Sequence, residues 1–360
     1  MPNHTAVAVN WVEHGLVPDR VVRLGIRRLL KARLVELHSG DAAATAALTQ
    51  AFVGELRKAP VALLPEKANA QHYEVPAAFF GEVLGTHRKY SSCHWPEGVQ
   101  TLAQAEAAAL QATCERAGLV DGQQVLELGC GWGSLTLWMA ERFRGSRITA
   151  LSNSNSQREY IEAQAAGRGL HNVRVITRDI NEFDTAERYD RVVSVEMFEH
   201  LRNWPQAFAR VARWLQPDGR FFMHVFAHRE APYPFVERDA SDWMSKHFFS
   251  GGMMPSDDLA LHCQDDLRLL QRWRWDGTHY QRTAEAWLRN MDEKRDLLMP
   301  LFERTYGRED AAVWRMRWRL FFMSVAELFG YGAGQQWWGG HYLFDKREER
   351  DERGGRVSGA

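Results

Sequence analysis

The chain has 360 residues, with 45 Lys plus Arg against 46 Asp plus Glu, and is 45% hydrophobic and 25% charged. That profile fits a soluble globular protein of one large domain with additions, or two modest ones. It lacks the excess positive charge that general nucleic-acid binding requires.

The N-terminal stretch MPNHTAVAVNWVEHG has neither the charged start nor the apolar core of a signal peptide. No apolar run approaches the ~20 residues that span a bilayer. The four cysteines, Cys93, Cys114, Cys130 and Cys263, include no CxxC pair, which argues against a zinc site or redox dithiol and for a reducing compartment. A cytoplasmic location, without stable membrane insertion and without a bound metal, is expected.

From Pro18 to Leu56 the spacing is helical. Val21, Val22, Leu24, Ile26, Leu29 and Leu30 form an apolar stripe with arginines between them. The stripe reads as a packing helix with a solvated basic face, or as a surface for a membrane or an acidic partner. Residues 60–75, with Pro60 and Pro65, read as a linker, so residues 1–75 are expected to form an N-terminal helical extension. Helix returns at Thr101 to Ala117. From Gln124 strand and helix alternate: VLELG, SLTLWMAERF, RITALSNS, SQREYIEAQAAGRG, VRVITRD, YDRVVSV, WPQAFARVARWL and GRFFMHVF. The alternation predicts an α/β fold with a doubly wound, mostly parallel sheet over residues 76–346, with ligands at the strand C-termini.

Beyond Ala227 the alternation stops. A cap insertion is expected around 228–262, late strand at LRLLQRWRW, C-terminal helices around 284–330 and a final edge strand at HYLFDKR. Residues 347–360 are charged and Gly-rich and are expected to be disordered.

VLELGCGWGS places Gly129, Gly131 and Gly133 directly after the first of these strands, where small residues let backbone approach a ligand. A bare GxGxG is also part of dinucleotide loops, but the sixth position here is Ser134. With Glu127 two residues ahead of Gly129, the pattern takes the E/DxGxGxG form of S-adenosylmethionine-dependent methyltransferases. The second strand ends at Ser152, Asn153 and Gln157, and the third at Asp179, positions suited to cofactor hydroxyls and adenine.

The chain resembles the cyclopropane-fatty-acyl-phospholipid synthase superfamily of methyltransferases through QHYEVP, YSSCHW, VLELGCGWGSLTLWMAERF, LSNSNSQREYI and VEMFEHLRNW. It is most similar there to the coclaurine N-methyltransferase-like branch, through SSCHW, VEMFEH and FFMSVAELFGYGAGQQWWGGHYLF. The resemblance implies a class I, Rossmann-like methyltransferase fold with S-adenosyl-L-methionine as cofactor. It places Tyr90, Ser91, Gly129, Gly131, Ser152, Asn153, Gln157, Asp179, Ile180 and Val195 around that cofactor. In the synthases a bicarbonate ion serves as base, held by a cysteine, a glutamate, a histidine and a tyrosine. The matching positions here are Ser92, Glu199, His224 and Tyr280. The synthases also usually carry Gly where this chain has Glu196, and the coclaurine-type enzymes carry Glu. Members of the family often form homodimers, though no motif in this chain fixes an oligomeric state.

Glu196, Glu199 and His200 follow the fourth strand within five residues. A helix start decorated with carboxylates would look the same. On a helical turn, however, the three side chains share a face, and here that face falls at the ligand edge. Methyl transfer to nitrogen requires a neutral amine, so a carboxylate can recognise the ammonium form while a carboxylate or imidazole takes its proton. Glu196, Glu199 and His200 are therefore the expected catalytic groups. Aromatic residues, foremost Trp243 in the cap and Phe329 in the C-terminal helix, are expected with Ser92, His224 and Tyr280 around an apolar substrate. The expected reaction is N-methylation of a small aromatic amine of the tetrahydroisoquinoline type. The alternative is modification of unsaturated lipid, by cyclopropanation or methyl branching, with peripheral contact to a membrane.

Overall fold

Short apolar runs flanked by amphipathic helices become the inner strands of a seven-stranded sheet. The computed structural model describes residues 4–38, 40–63, 76–239 and 242–347. The expected tail, beyond residue 347, and most of the expected linker lie outside the described residues. In chain order the strands are β1 (Gln124–Leu128), β2 (Arg147–Ser152), β3 (Val173–Thr177), β4 (Tyr189–Val195), β5 (Leu215–His228), β6 (Tyr233–Pro234), β7 (Met253–Met254), β8 (Leu267–Trp275) and β9 (Trp337–Lys346). The large sheet has the order β3-β2-β1-β4-β5-β9-β8, and β6 and β7 form a separate two-stranded ribbon. The first five strands run parallel, and β9 is antiparallel to both neighbours. The order reverses between β1 and β4, and the crevice outside their C-terminal ends is where such sheets bind ligands.

Local chemistry sets the boundaries of the helices between these strands. Helix Leu102–Ala117 opens with a reciprocal Thr101–Gln104 capping box and ends on a left-handed Gly118. Ser154 caps Asn155–Gly167, and Asn203 caps Trp204–Trp214 ahead of Pro205.

The HYLF segment is a strand, but an interior one, which corrects the expectation of an edge. Eight of the ten residues of β9 are buried, as a strand covered on both faces requires. The edge is β8, whose middle residues are largely exposed. Gly339 permits the close approach of β9 to β5, since a Cβ there would come 3.1 Å from His224 Nε2.

Among the described residues, the N-terminal region contains three helices, His4–Glu13, Asp19–Glu36 and Ala42–Leu56. Val22 of the second packs in one core with Phe79, Trp287, Trp318, Phe321 and Phe329. The arginine stripe is only partly solvated. Arg23 pairs with Glu285 at 2.6 Å and Glu327 at 2.9 Å, Arg27 pairs with Glu327 at 2.5 Å, and Arg319 reaches back to Asp19 at 2.8 Å. These ion pairs fasten helix Asp19–Glu36 to helices Gly277–Glu293 and Ala311–Gly330. Among the described residues, no helix is long and apolar enough to cross a membrane.

Candidate active site

The loop after β1 turns through left-handed glycines, with φ +76° at Gly129 and +51° at Gly131. A Cβ on Gly129 would come 2.5 Å from Met197 Cγ, whereas one on Gly131 would meet nothing within 4 Å. One glycine thus permits close packing, and the other leaves its backbone open to a ligand. Gly129, Gly131, Ser152, Asn153, Gln157, Asp179, Ile180, Glu196 and His200 line a cleft of about 860 Å³. A second cavity of about 570 Å³ shares Gly129, Gly131, Gln157 and Glu196 and adds Lys89, Tyr90, Ser91, Glu127 and Val195. Every residue expected around the cofactor therefore lines one of two adjoining cavities.

The polar groups fit S-adenosylmethionine. Gln157 is 1% exposed. Its Oε1 accepts from Ser152 Oγ at 2.7 Å, while its Nε2 has no protein partner. A buried amide left with a donor to spare is what a ligand hydroxyl or carboxylate would satisfy. Ser154 caps the adjoining helix and so fixes Gln157. Burial pushes the Glu127 carboxyl up to about 8 despite the 2.5 Å hydrogen bond that Thr136 donates to it, so the group is poised to answer a ligand charge.

Glu196, Glu199 and His200 do not share one helical face. Glu196 precedes the turn with φ +49°, and a 3-10 turn spans Phe198–His200. Ser92 N–H donates to Glu196 Oε1 at 2.7 Å and the Tyr280 hydroxyl donates to Oε2 at 2.8 Å. His224 Nε2 lies 3.6 Å from Oε1. Burial raises the Glu196 pKa, opposed by Lys89 and by these two donors. Burial also holds His224 well below its usual range, so that contact is a neutral imidazole beside a carboxyl group and no ion pair.

Glu199 is fully buried and lines neither cavity, contrary to expectation. Its Oε1 accepts from Phe226 N–H at 2.7 Å. Burial, then the neighbouring Glu196, pushes its pKa well up. His200 lines the cleft with its ring stacked on Phe249, centroids 5.8 Å apart; burial lowers its pKa to about 4. Phe329 stacks on Tyr280 at 4.4 Å and so stands one layer behind the carboxylate. Trp243 is not brought to the cleft. Its indole N–H donates to Glu13 at 2.8 Å and its ring packs on Phe248, which ties helix Trp243–His247 to helix His4–Glu13 instead.

Ala62, Arg178, Met197, Ser250 and Gly251 also line the cleft. They come from irregular segments, and all but Met197, which lies within VEMFEH, carry no motif. The fold, the glycine loop and the paired cavities define an S-adenosylmethionine-dependent methyltransferase.

The family model described as mycolic acid cyclopropane synthetase matches residues 64–335. (S)-coclaurine N-methyltransferase from Thalictrum flavum subsp. glaucum is 36% identical over 344 residues, covering 93% of this chain and 94% of the relative. A crystal structure of coclaurine N-methyltransferase bound to N-methylheliamine and SAH superposes with a TM-score of 0.93 at 36% identity, covering 96% of this chain and all of the other. A mycolic acid cyclopropane synthase complexed with SAH shares the fold, with a TM-score of 0.66 at 22% identity over 79% of this chain and 99% of the other. The chain belongs to the mycolic acid cyclopropane synthetase family of methyltransferases.

Proposed function

We propose that this enzyme N-methylates a small, flat, alkaloid-like amine of the tetrahydroisoquinoline type, with Glu196 and His200 at the methyl acceptor. One observation carries the reading. The Glu196 carboxylate is bonded by Ser92 N–H and the Tyr280 hydroxyl and lies 3.6 Å from His224. These are three of the four positions that the resemblance assigns to holding bicarbonate in the cyclopropane synthases. The chain supplies at that point a carboxylate of its own, in reach of the cleft.

When bound, S-adenosylmethionine supplies an electrophilic methyl group on its sulfonium, held by the residues of the two cavities. The protein's part is to present nitrogen with a free lone pair. Glu196 attracts the ammonium form of the amine, and a carboxylate whose pKa burial has raised is a stronger base than a solvated one. His200, neutral through burial, accepts a hydrogen bond or proton from the same nitrogen. As the nitrogen gains positive charge, Glu196 stabilises it in a site of low dielectric. The relatives named for coclaurine support the amine class.

The test is methyl transfer from labelled S-adenosylmethionine to tetrahydroisoquinolines and to unsaturated phospholipid vesicles, each with and without bicarbonate. Label in the amine, indifferent to bicarbonate, is expected. Label in lipid alone, stimulated by bicarbonate, would overturn the reading. Glu196→Gln is expected to slow amine methylation well over tenfold while cofactor binding stays near wild type, as removal of a base requires (roughly 10² or more).

A further inference from the structure

Lys89 is only 1% exposed. A lysine kept from water demands compensation, because its ammonium loses its hydration. The ammonium donates to the Ser92 carbonyl at 2.7 Å and to Ser91 Oγ at 2.5 Å. The N–H of the same Ser92 donates to the Glu196 carboxylate at 2.7 Å. Lys89 and Glu196 thus grip one residue from opposite sides, and both line the smaller cavity. The backbone that carries Lys89 is itself fixed. Buried Glu106 accepts from the amides of Gly85, His87 and Lys89 at 3.0, 2.7 and 3.1 Å.

The other groups facing Glu196 supply no positive charge. Tyr280 donates as a neutral phenol, with its pKa pushed up by burial and by Glu196. His224 from β5 and His200 from the 3-10 turn are held neutral by burial. Glu199 adds repulsion, and the Cys93 thiol is held protonated by burial. Arg116 stops one layer away, on His341 Nδ1 at 2.8 Å.

The structure assigns Lys89 the role of a positioning cation, which keeps the Glu196 carboxylate ionised and fixes Ser92 beneath it. This deepens the proposed function and rests on it for its kinetic consequence. Lys89 need not touch the amine: its charge acts on Glu196, and its hydrogen bonds orient the Ser92 backbone that holds Glu196 in place.

The sign follows directly. Removing the ammonium leaves Glu196 protonated to higher pH, so the acidic limb of kcat moves upward. Lys89→Met is expected to shift that limb by about one pH unit or more and to recover activity at high pH. Lys89→Arg is expected to keep the wild-type limb. Independently of turnover, Lys89→Met alone is expected to lower Tm by stranding a buried carboxylate, and adding Glu196→Gln to restore most of the loss. A raised KM for S-adenosylmethionine with an unmoved limb would overturn the assignment and make Lys89 a cofactor ligand. Additive losses of Tm in the double variant would overturn it too. If the wild-type enzyme methylated no amine, the functional reading would fail, while the Tm cycle would still decide the Lys89–Glu196 pairing.

Discussion

Glu196 occupies a backbone conformation that glycine takes at little cost, with φ +49°. For a residue with a Cβ this costs on the order of 1 kcal/mol. The synthases usually carry glycine at this position, so the side chain here is retained against local preference. Glu196→Gly is therefore expected to relieve that backbone cost while stranding the buried Lys89 ammonium, and to lose amine methylation, with added bicarbonate restoring part of the rate. A rate unmoved by bicarbonate would mean that Ser92, His224 and Tyr280 do not form an anion site once the carboxylate is gone. Glu127 allows a separate test. Burial raises its pKa to about 8, so the folded state holds a proton that the unfolded chain releases near the ordinary carboxylate pKa. Its contribution to stability is present below that value and is lost as pH rises toward 8. In ligand-free protein, Glu127→Gln is expected to gain Tm relative to wild type over that window. An unchanged difference between pH 5 and 8 would contradict the shift. Lys89 shows what a linear reading misses at this scale, since a lone lysine reads as solvated until the fold buries it.

At the scale of elements, the β1 loop and the two strand ends were legible because their residues are contiguous and each obeys a local rule. Glycine follows strand, and an N-cap precedes helix. The triad Glu196, Glu199, His200 was legible as a cluster and misread as a face. A regular helical turn would align them, but the left-handed residue and the 3-10 turn divide them between the cleft and the core. The arginine stripe on Asp19–Glu36 was ambiguous because its acidic partners lie some 260 to 300 residues further along the chain. Those partners set the energetics. Glu327 is 5% exposed, while Arg27 is 55% exposed. Losing the carboxylate should cost about 1–2 kcal/mol, below the cost of opening a fully buried pair. Glu327→Gln is expected to lower Tm modestly and to speed amide exchange across residues 19–36. Exchange that rose uniformly along the whole chain would instead place the loss in the global fold.

For the molecule as a whole, β9 has a consequence for synthesis. The strand that lies between β5 and β8, Trp337–Lys346, is made after every other described strand of the sheet. Until it emerges, β5 presents an unpaired edge with Phe221, Phe222, Met223 and Val225 on it. Unpaired apolar edges template aggregation, and pairing across a long stretch of sequence is slow. A chain released before Trp337 is expected to be insoluble or chaperone-bound, and a soluble, monodisperse product of that length would contradict this. Because His341 of β9 pairs directly with His224 of β5, the chemistry beneath Glu196 is sealed only after β9 has been made and paired. A nascent chain that still lacks β9 is therefore expected to leave the His224 layer open and to transfer no methyl group.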